Sequence, residues 1–160
     1  MRKPKKAARH CQGGFFITIE GRDMTSDLLF VYGTLRPGFG GERAAWLASV
    51  ARPVDAAMAR GALYRVDYYP AFVPQADGLV VGDLFHLPDA TAILATLDEY
   101  EECVAHFPAP HEYRRERVRV QTTGGGVDAW TYVYARRRGA GADRGRRLPR
   151  LNACARRASR

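Results

Sequence analysis

Two short stretches of the chain carry residue types whose chemistry would be complementary if they met. Residues 28–36 read Leu-Leu-Phe-Val-Tyr-Gly-Thr-Leu-Arg, an apolar run that ends in a glycine turn. A strand that stops at Gly33-Thr34 can leave successive backbone N–H groups pointing outward, the arrangement that holds an anion or a developing oxyanion. The Thr34 hydroxyl and the Arg36 charge would add to it. Later, Leu97-Asp98-Glu99-Tyr100-Glu101 closes a segment in which Ile93, Leu94, Leu97 and Tyr100 recur at spacings of three and four. That period predicts a helix with one apolar stripe. Glu101 falls on the stripe, four residues after Leu97, whereas Asp98, Glu99 and Glu102 fall on or near the opposite face.

A carboxylate set against a core is costly unless it is paired, hydrated or protonated. Burial lifts its pKa above the ordinary value of about 4.3, towards the range useful for proton transfer near neutrality. The helix alone leaves three outcomes open for Glu101: such a site, escape to solvent at the helix end, or an ion pair with an arginine such as Arg115. The glycine turn alone is equally compatible with a routine strand ending. It lacks the Gly-Lys-Ser/Thr of a nucleotide-binding loop, and Gly38-Phe39-Gly40-Gly41 lacks a dinucleotide fingerprint.

The remaining candidates are weaker. His106 and His111 are five residues apart with no third ligand nearby, so no metal site is expected. Cys103 has no histidine partner that would make it a nucleophile. His86, Tyr64, Tyr69, Trp130 and Tyr132 read as core or pocket wall.

The elements that must position these residues follow from the pattern. Leu28 to Tyr32 reads as a strand buried on both faces, Pro37 to Gly41 as a loop and Glu42 to Val50 as a short helix. Ala57 to Val66 is strand-like with a break at Gly61, residues 68–71 bend the chain, and Leu79 to Leu87 is a further strand. Asp89 is expected to cap a helix reaching about Cys103. Tyr113 to Thr122 alternates and passes through Gly124-Gly125-Gly126 into Val127 to Ala135, a hairpin. Strands outnumber helices, which favours an α+β fold over a doubly wound sheet.

Tyr32-Gly33-Thr34-Leu35-Arg36, Gly61-Ala62-Leu63-Tyr64, Tyr69-Pro70-Ala71, Leu97-Asp98-Glu99-Tyr100-Glu101 and Tyr113-Arg114-Arg115, in this order, resemble successive motifs of the gamma-glutamylcyclotransferase-like family. The likeness spans roughly residues 28–134 and is nearest to the gamma-glutamylamine cyclotransferase and YtfP-like branch. The resemblance implies a small mixed β-barrel flanked by short helices, with no metal and no organic cofactor. It implies conversion of a γ-glutamyl amine or peptide to 5-oxoproline and a free amine. Glu101 corresponds to the acid/base, and Tyr32, Gly33, Thr34 and Leu35 to the substrate-binding loop; Tyr113 and Arg115 are further candidates for positioning the substrate, Arg115 as a carboxylate clamp. Two departures bear on substrate choice: Glu102 stands where many members have glycine, and the stretch from Cys103 to Glu112 is longer than in compact members. The alternative is a non-catalytic γ-glutamyl-ligand-binding or regulatory module with the same pocket.

The chain has 160 residues and a formal charge of +8, but the charge is unevenly placed. Residues 1–23 carry six Lys and Arg against two acids, residues 24–135 nine Arg against fourteen acids, and residues 136–160 ten Arg against one Asp. A basic stripe on the folded unit, as nucleic-acid binding requires, is therefore not expected. We expect one domain over 24–135, between an N-terminal extension (1–23), disordered or arising from a start upstream of Met24, and a basic disordered tail (136–160). Cys11, Cys103 and Cys154 form no CxxC or even framework, which fits reduced thiols and a cytoplasmic setting. No signal-peptide core or membrane span is evident. The expectation is a cytoplasmic monomer acting on a small-molecule γ-glutamyl substrate, with no specific nucleic-acid partner and no membrane partner.

Overall fold

The computed structural model describes residues 27–66 and 69–135. The expected N-terminal extension, Met24 and the basic tail lie outside the described residues.

Leu28–Val31 forms β1, and all four of its side chains are buried, as an unbroken apolar run predicts. A 3-10 turn at Pro37–Phe39 leads into α1, Glu42–Val50. Then follow β2 (Arg52–Arg60), β3 (Ala62–Val66), β4 (Tyr69–Val73) and β5 (Leu79–His86). Helix α2 spans Ala90–Tyr100, and β6 (Tyr113–Thr122) and β7 (Gly125–Tyr134) complete the chain order.

Five strands close into a barrel in the order β1-β5-β2-β6-β7. Every pairing is antiparallel except β1 with β7, which run parallel at Leu29 and Trp130. The fold is therefore α+β, a small mixed barrel with two helices. Strands β3 and β4 form a separate hairpin, with Val66 opposite Tyr69. Residues 69–71, read in the sequence as a bend, are thus the start of a strand. A strand containing Pro70 survives because it has one partner only, so no second ladder needs the missing N–H. β2 also begins earlier than expected, at Arg52, across a register shift between Pro53 and Asp55.

Two cores result, one on each side of β1. Inside the barrel, Phe30 and Tyr32 pack with Phe72 of β4 against small residues of the facing strands, Ala57, Ala59 and Ala129. Outside it, Leu29, Val31 and Leu35 pack against Leu47 of α1 and Ile93, Leu94 and Leu97 of α2. The period-two alternation of β1 divides it between the two cores. Its C-terminal end is fixed from both sides, and the glycine turn begins there.

Candidate active site

Helix α2 starts as its sequence dictates: the Asp89 carboxylate accepts the Ala92 amide at 3.1 Å. It ends three residues earlier than expected. Cys103 N–H donates to Asp98 O at 3.0 Å and Glu102 N–H to Glu99 O at 3.2 Å, the paired bonds of a Schellman ending. Glu101 is the C-cap and Glu102 takes the left-handed position, with φ of 52°. Glycine ordinarily occupies that position because it has no Cβ to clash. The departure noted at residue 102 therefore sits where the backbone favours glycine most.

The capping turn sends the Glu101 side chain into a cavity of about 350 Å³ at one end of the barrel. That volume is near the lower end of the usual range for small-ligand sites, about 300–1,000 Å³. Desolvation raises the Glu101 carboxyl from the usual 4.5 to about 7. The side chain is half-buried and, among the described residues, has no hydrogen bond or ion pair. The two alternatives left open by the sequence, an arginine partner and full escape to solvent, are not what is found.

Tyr32, Gly33, Thr34 and Leu35 line the same cavity. The turn closes through Arg36 N–H donating to Gly33 O at 2.9 Å. The amides of Gly33, Thr34 and Leu35 have no backbone acceptor among the described residues. Glycine is required at 33 for a reason the sequence did not show. A Cβ there would lie 2.9 Å from Cγ of Pro70, so the glycine serves close packing rather than a positive φ. Tyr32 donates its hydroxyl to the Tyr132 carbonyl at 2.6 Å, tying the turn to β7. Arg36, read as a charge for the anion site, instead engages Asp83 of β5 through Nε at 2.7 Å.

Tyr113 also lines the cavity. Its hydroxyl and that of Tyr32 are held above their usual pKa, chiefly by burial, and the Glu101 charge adds to both shifts. Both phenols therefore stay protonated and act as neutral donors or wall.

Arg115 is not brought to the cavity. Its Nη1 donates to Asp98 at 2.7 Å, and Asp98 also accepts from the Tyr132 hydroxyl at 2.8 Å. Asp98, expected on the solvent side of α2, is thus the hub between the helix and strands β6 and β7. Tyr100, expected on the apolar stripe, is 39% exposed and carries the Arg43 guanidinium 4.7 Å from its ring centroid. The reason for both corrections is the same. α2 is contacted on two sides, by the outer core along Ile93, Leu94 and Leu97 and by β6 and β7 at Asp98, and Tyr100, its last residue, lies beyond that core at the cavity.

Sequence reasoning missed Thr131, which lines the cavity, is fully buried and has a hydroxyl without a partner. The signal was present: Ala129, Thr131 and Val133 alternate, and only the middle one is polar. The long stretch from Cys103 to Glu112, noted in the sequence as a departure, supplies Phe107, Pro108, Pro110, His111 and Glu112 to the cavity wall. Among the described residues no cluster of His, Cys, Asp and Glu could hold a metal ion, and no helix is long and apolar enough to cross a membrane. Cys103 is a free thiol, raised to about 11 by burial first and then by the Asp98 charge.

A family model described as gamma-glutamyl cyclotransferase, AIG2-like, matches residues 29–150. The chain belongs to that family. Solved structures agree on the fold. An AIG2-like protein of mouse superposes with a TM-score of 0.55 at 23% identity, covering 68% of this chain and 77% of its own. The YkqA protein of Bacillus subtilis gives 0.52 at 24%, covering 68% of this chain but 35% of its own. An uncharacterized protein of Pyrococcus horikoshii gives 0.51 at 20%, covering 76% and 85%. No curated protein matches in sequence. In this member of the gamma-glutamyl cyclotransferase, AIG2-like family, one cavity is lined by the glycine turn, Glu101 and the tyrosines Tyr113 and Tyr132 of β6 and β7.

Proposed function

We propose that the protein is a cyclotransferase that converts a γ-glutamyl amine or peptide to 5-oxoproline and a free amine. The observation that carries this reading is one carboxyl, Glu101, raised to about 7 by burial and without an ion-pair partner among the described residues, in the same cavity as the Gly33 to Leu35 turn, whose amides have no backbone acceptor among those residues. Membership of the gamma-glutamyl cyclotransferase, AIG2-like family supports it.

The reaction asks little of the protein beyond these parts. The nucleophile is the substrate's own α-nitrogen, already tethered to the γ-carbonyl, so the entropy of encounter is largely absent. Glu101 takes a proton from the α-ammonium and the freed amine attacks the γ-carbon. The bond from the γ-carbon to the departing nitrogen then breaks as that nitrogen receives the proton held by Glu101. Overall the α-nitrogen gives up two protons and the departing nitrogen gains two, leaving as an ammonium ion at neutral pH. A carboxyl with a pKa of about 7 suits both halves of this exchange, since it can carry or lack the proton at little cost.

The amides of the Gly33 turn would hold the α-carboxylate or the oxyanion that develops on the γ-oxygen. One well-placed donor to such an oxyanion is worth about 3 kcal/mol of barrier. Tyr113 forms the wall beside Glu101. Arg115 contributes through Asp98, which fixes Tyr132 and the end of α2, and so acts as a positioning residue.

The test is release of 5-oxoproline from a panel of γ-glutamyl-lysine, γ-glutamyl dipeptides and glutathione. Glu101→Gln, with an unchanged circular dichroism spectrum, is expected to lose about 100-fold or more of the activity on whichever member is turned over. Full activity in that variant would remove Glu101 from the reaction.

A further inference from the structure

The exchange of protons includes a step that Glu101 alone serves poorly. Once the α-nitrogen has attacked, the γ-carbon bears two nitrogens, and the one in the new ring is still an ammonium. An ammonium is expelled more readily than an amine, so the adduct falls back to substrate unless the ring nitrogen loses its second proton. Glu101 then holds the first proton and cannot accept another until it has passed that one on. A second acceptor on the cavity wall would let the ring nitrogen lose a proton while the departing nitrogen gains one.

Few groups on that wall can act as a base. Phenols and hydroxyls are poor acceptors at neutral pH, and Glu102 is exposed. There remain His111 and Glu112, both half-buried. Of an imidazole and a carboxylate, the imidazole is the better acceptor near neutrality. His111 is also fixed in place and in tautomer. Its Nε2 lies 3.2 Å from the Phe107 carbonyl oxygen. A carbonyl only accepts, so Nε2 carries the hydrogen and Nδ1 of the neutral ring is left as the acceptor. The bond spans a short loop whose φ angles are restricted by Pro108 and Pro110. On one side the Phe107 N–H donates to Val104 O at 3.1 Å, and on the other the Ala135 N–H donates to Glu112 O at 2.7 Å. Both ends of the loop are thereby tied, and the imidazole borders the same cavity as Glu101.

Resting on the cyclotransferase reading above, we infer that His111 is a second catalytic residue, the base that takes the second proton of the α-nitrogen. Glu101 takes the first proton from the α-ammonium, and the α-nitrogen joins the γ-carbon. His111 Nδ1 takes the second proton as Glu101 hands the first to the departing nitrogen, and the bond from the γ-carbon to that nitrogen breaks. This leaves 5-oxoproline and a neutral amine beside an ionised Glu101 and an imidazolium. The imidazolium gives its proton to the amine, which departs as an ammonium ion, and both side chains are reset. Two protons have left one nitrogen and two have reached the other.

The experiment uses the full chain and the γ-glutamyl compound that the wild type turns over fastest among γ-glutamyl-lysine, γ-glutamyl dipeptides and glutathione. In His111→Gln the side-chain amide can still donate to the Phe107 carbonyl, so the loop keeps its bond while the basic ring nitrogen is gone. kcat is expected to fall about 100-fold, with KM and the thermal midpoint little changed. Rates in mixtures of light and heavy water should show two protons in motion in the wild type and one in the variant. Added imidazole should restore part of the activity of His111→Ala. Wild-type kcat in His111→Gln overturns the inference. So does a fall in kcat that leaves the number of moving protons unchanged, since the side chain then only shapes the wall. Activity lost in Glu112→Gln but kept in His111→Gln overturns it in favour of the carboxylate. These three results leave the cyclotransferase reading intact. If the wild type releases 5-oxoproline from none of the compounds, that reading falls and the inference with it.

Discussion

Pro70 of β4 packs so closely on Gly33 that a Cβ at 33 would lie 2.9 Å from the proline Cγ. Two motifs separated by more than thirty residues in the sequence are thereby one structural unit. The β3-β4 hairpin, outside the barrel sheet, acts as the buttress of the turn that lines the cavity. Gly33→Ala is expected to cost about 1–3 kcal/mol through overpacking against a ring that cannot rotate away. It should also lower kcat/KM, because the amides shift with the turn. Adding Pro70→Ala removes the clash, so denaturant unfolding of the double variant should show less than the summed loss. Simple additivity would mean that the proline is not what requires the glycine.

Asp98 links α2 to Arg115 and Tyr132 through bonds of 2.7 and 2.8 Å. Asp98→Ala leaves a guanidinium and a phenol without their acceptor. The expected loss is about 2–3 kcal/mol, less than for a fully buried pair because the Arg115 side chain is 31% exposed. Asp98→Ala combined with Arg115→Met should be less destabilising than the sum of the two. If Arg115 instead held substrate directly, Arg115→Met would raise KM with little effect on thermal stability.

Glu102 adopts φ of 52° at the left-handed position of a Schellman ending. A non-glycine residue there is strained by about 1–2 kcal/mol, of which glycine returns part as unfolded-chain entropy. Glu102→Gly is therefore expected to stabilise the protein by about 0.5–1 kcal/mol in denaturant melts. A destabilised variant would show that the side chain contributes more than its backbone costs.

Much of the barrel could be read from the chain. β1 is an apolar run buried on both faces, α1 is bounded where its small and apolar residues end, and β6-β7 is an alternating hairpin with a glycine turn. What escaped was fixed by contacts between elements. β4 was hidden by Pro70, whose tolerance depends on how many partners a strand has. The start of β2 was hidden because Arg52 to Asp55 is polar and passes through a register shift. In the site, Glu101 stood out because a carboxylate interrupted an apolar stripe. Asp98 did not, because a stripe records one covered side and α2 has two. Thr131 carried a visible signal, but a single polar residue on an inward face gains meaning only when its hydroxyl is seen to lack a partner.

The most direct measurement is a carbon NMR titration of the Glu101 side-chain carboxyl, assigned by its disappearance in Glu101→Gln. Burial disfavours the charged form, so the carboxyl stays protonated below about pH 7 and ionises above it, and the midpoint is expected at about 7. A proton carrier poised there serves both halves of the exchange. A midpoint at the ordinary carboxylate value of about 4.3 would mean that Glu101 stands in solvent, and the catalytic account would fail with it.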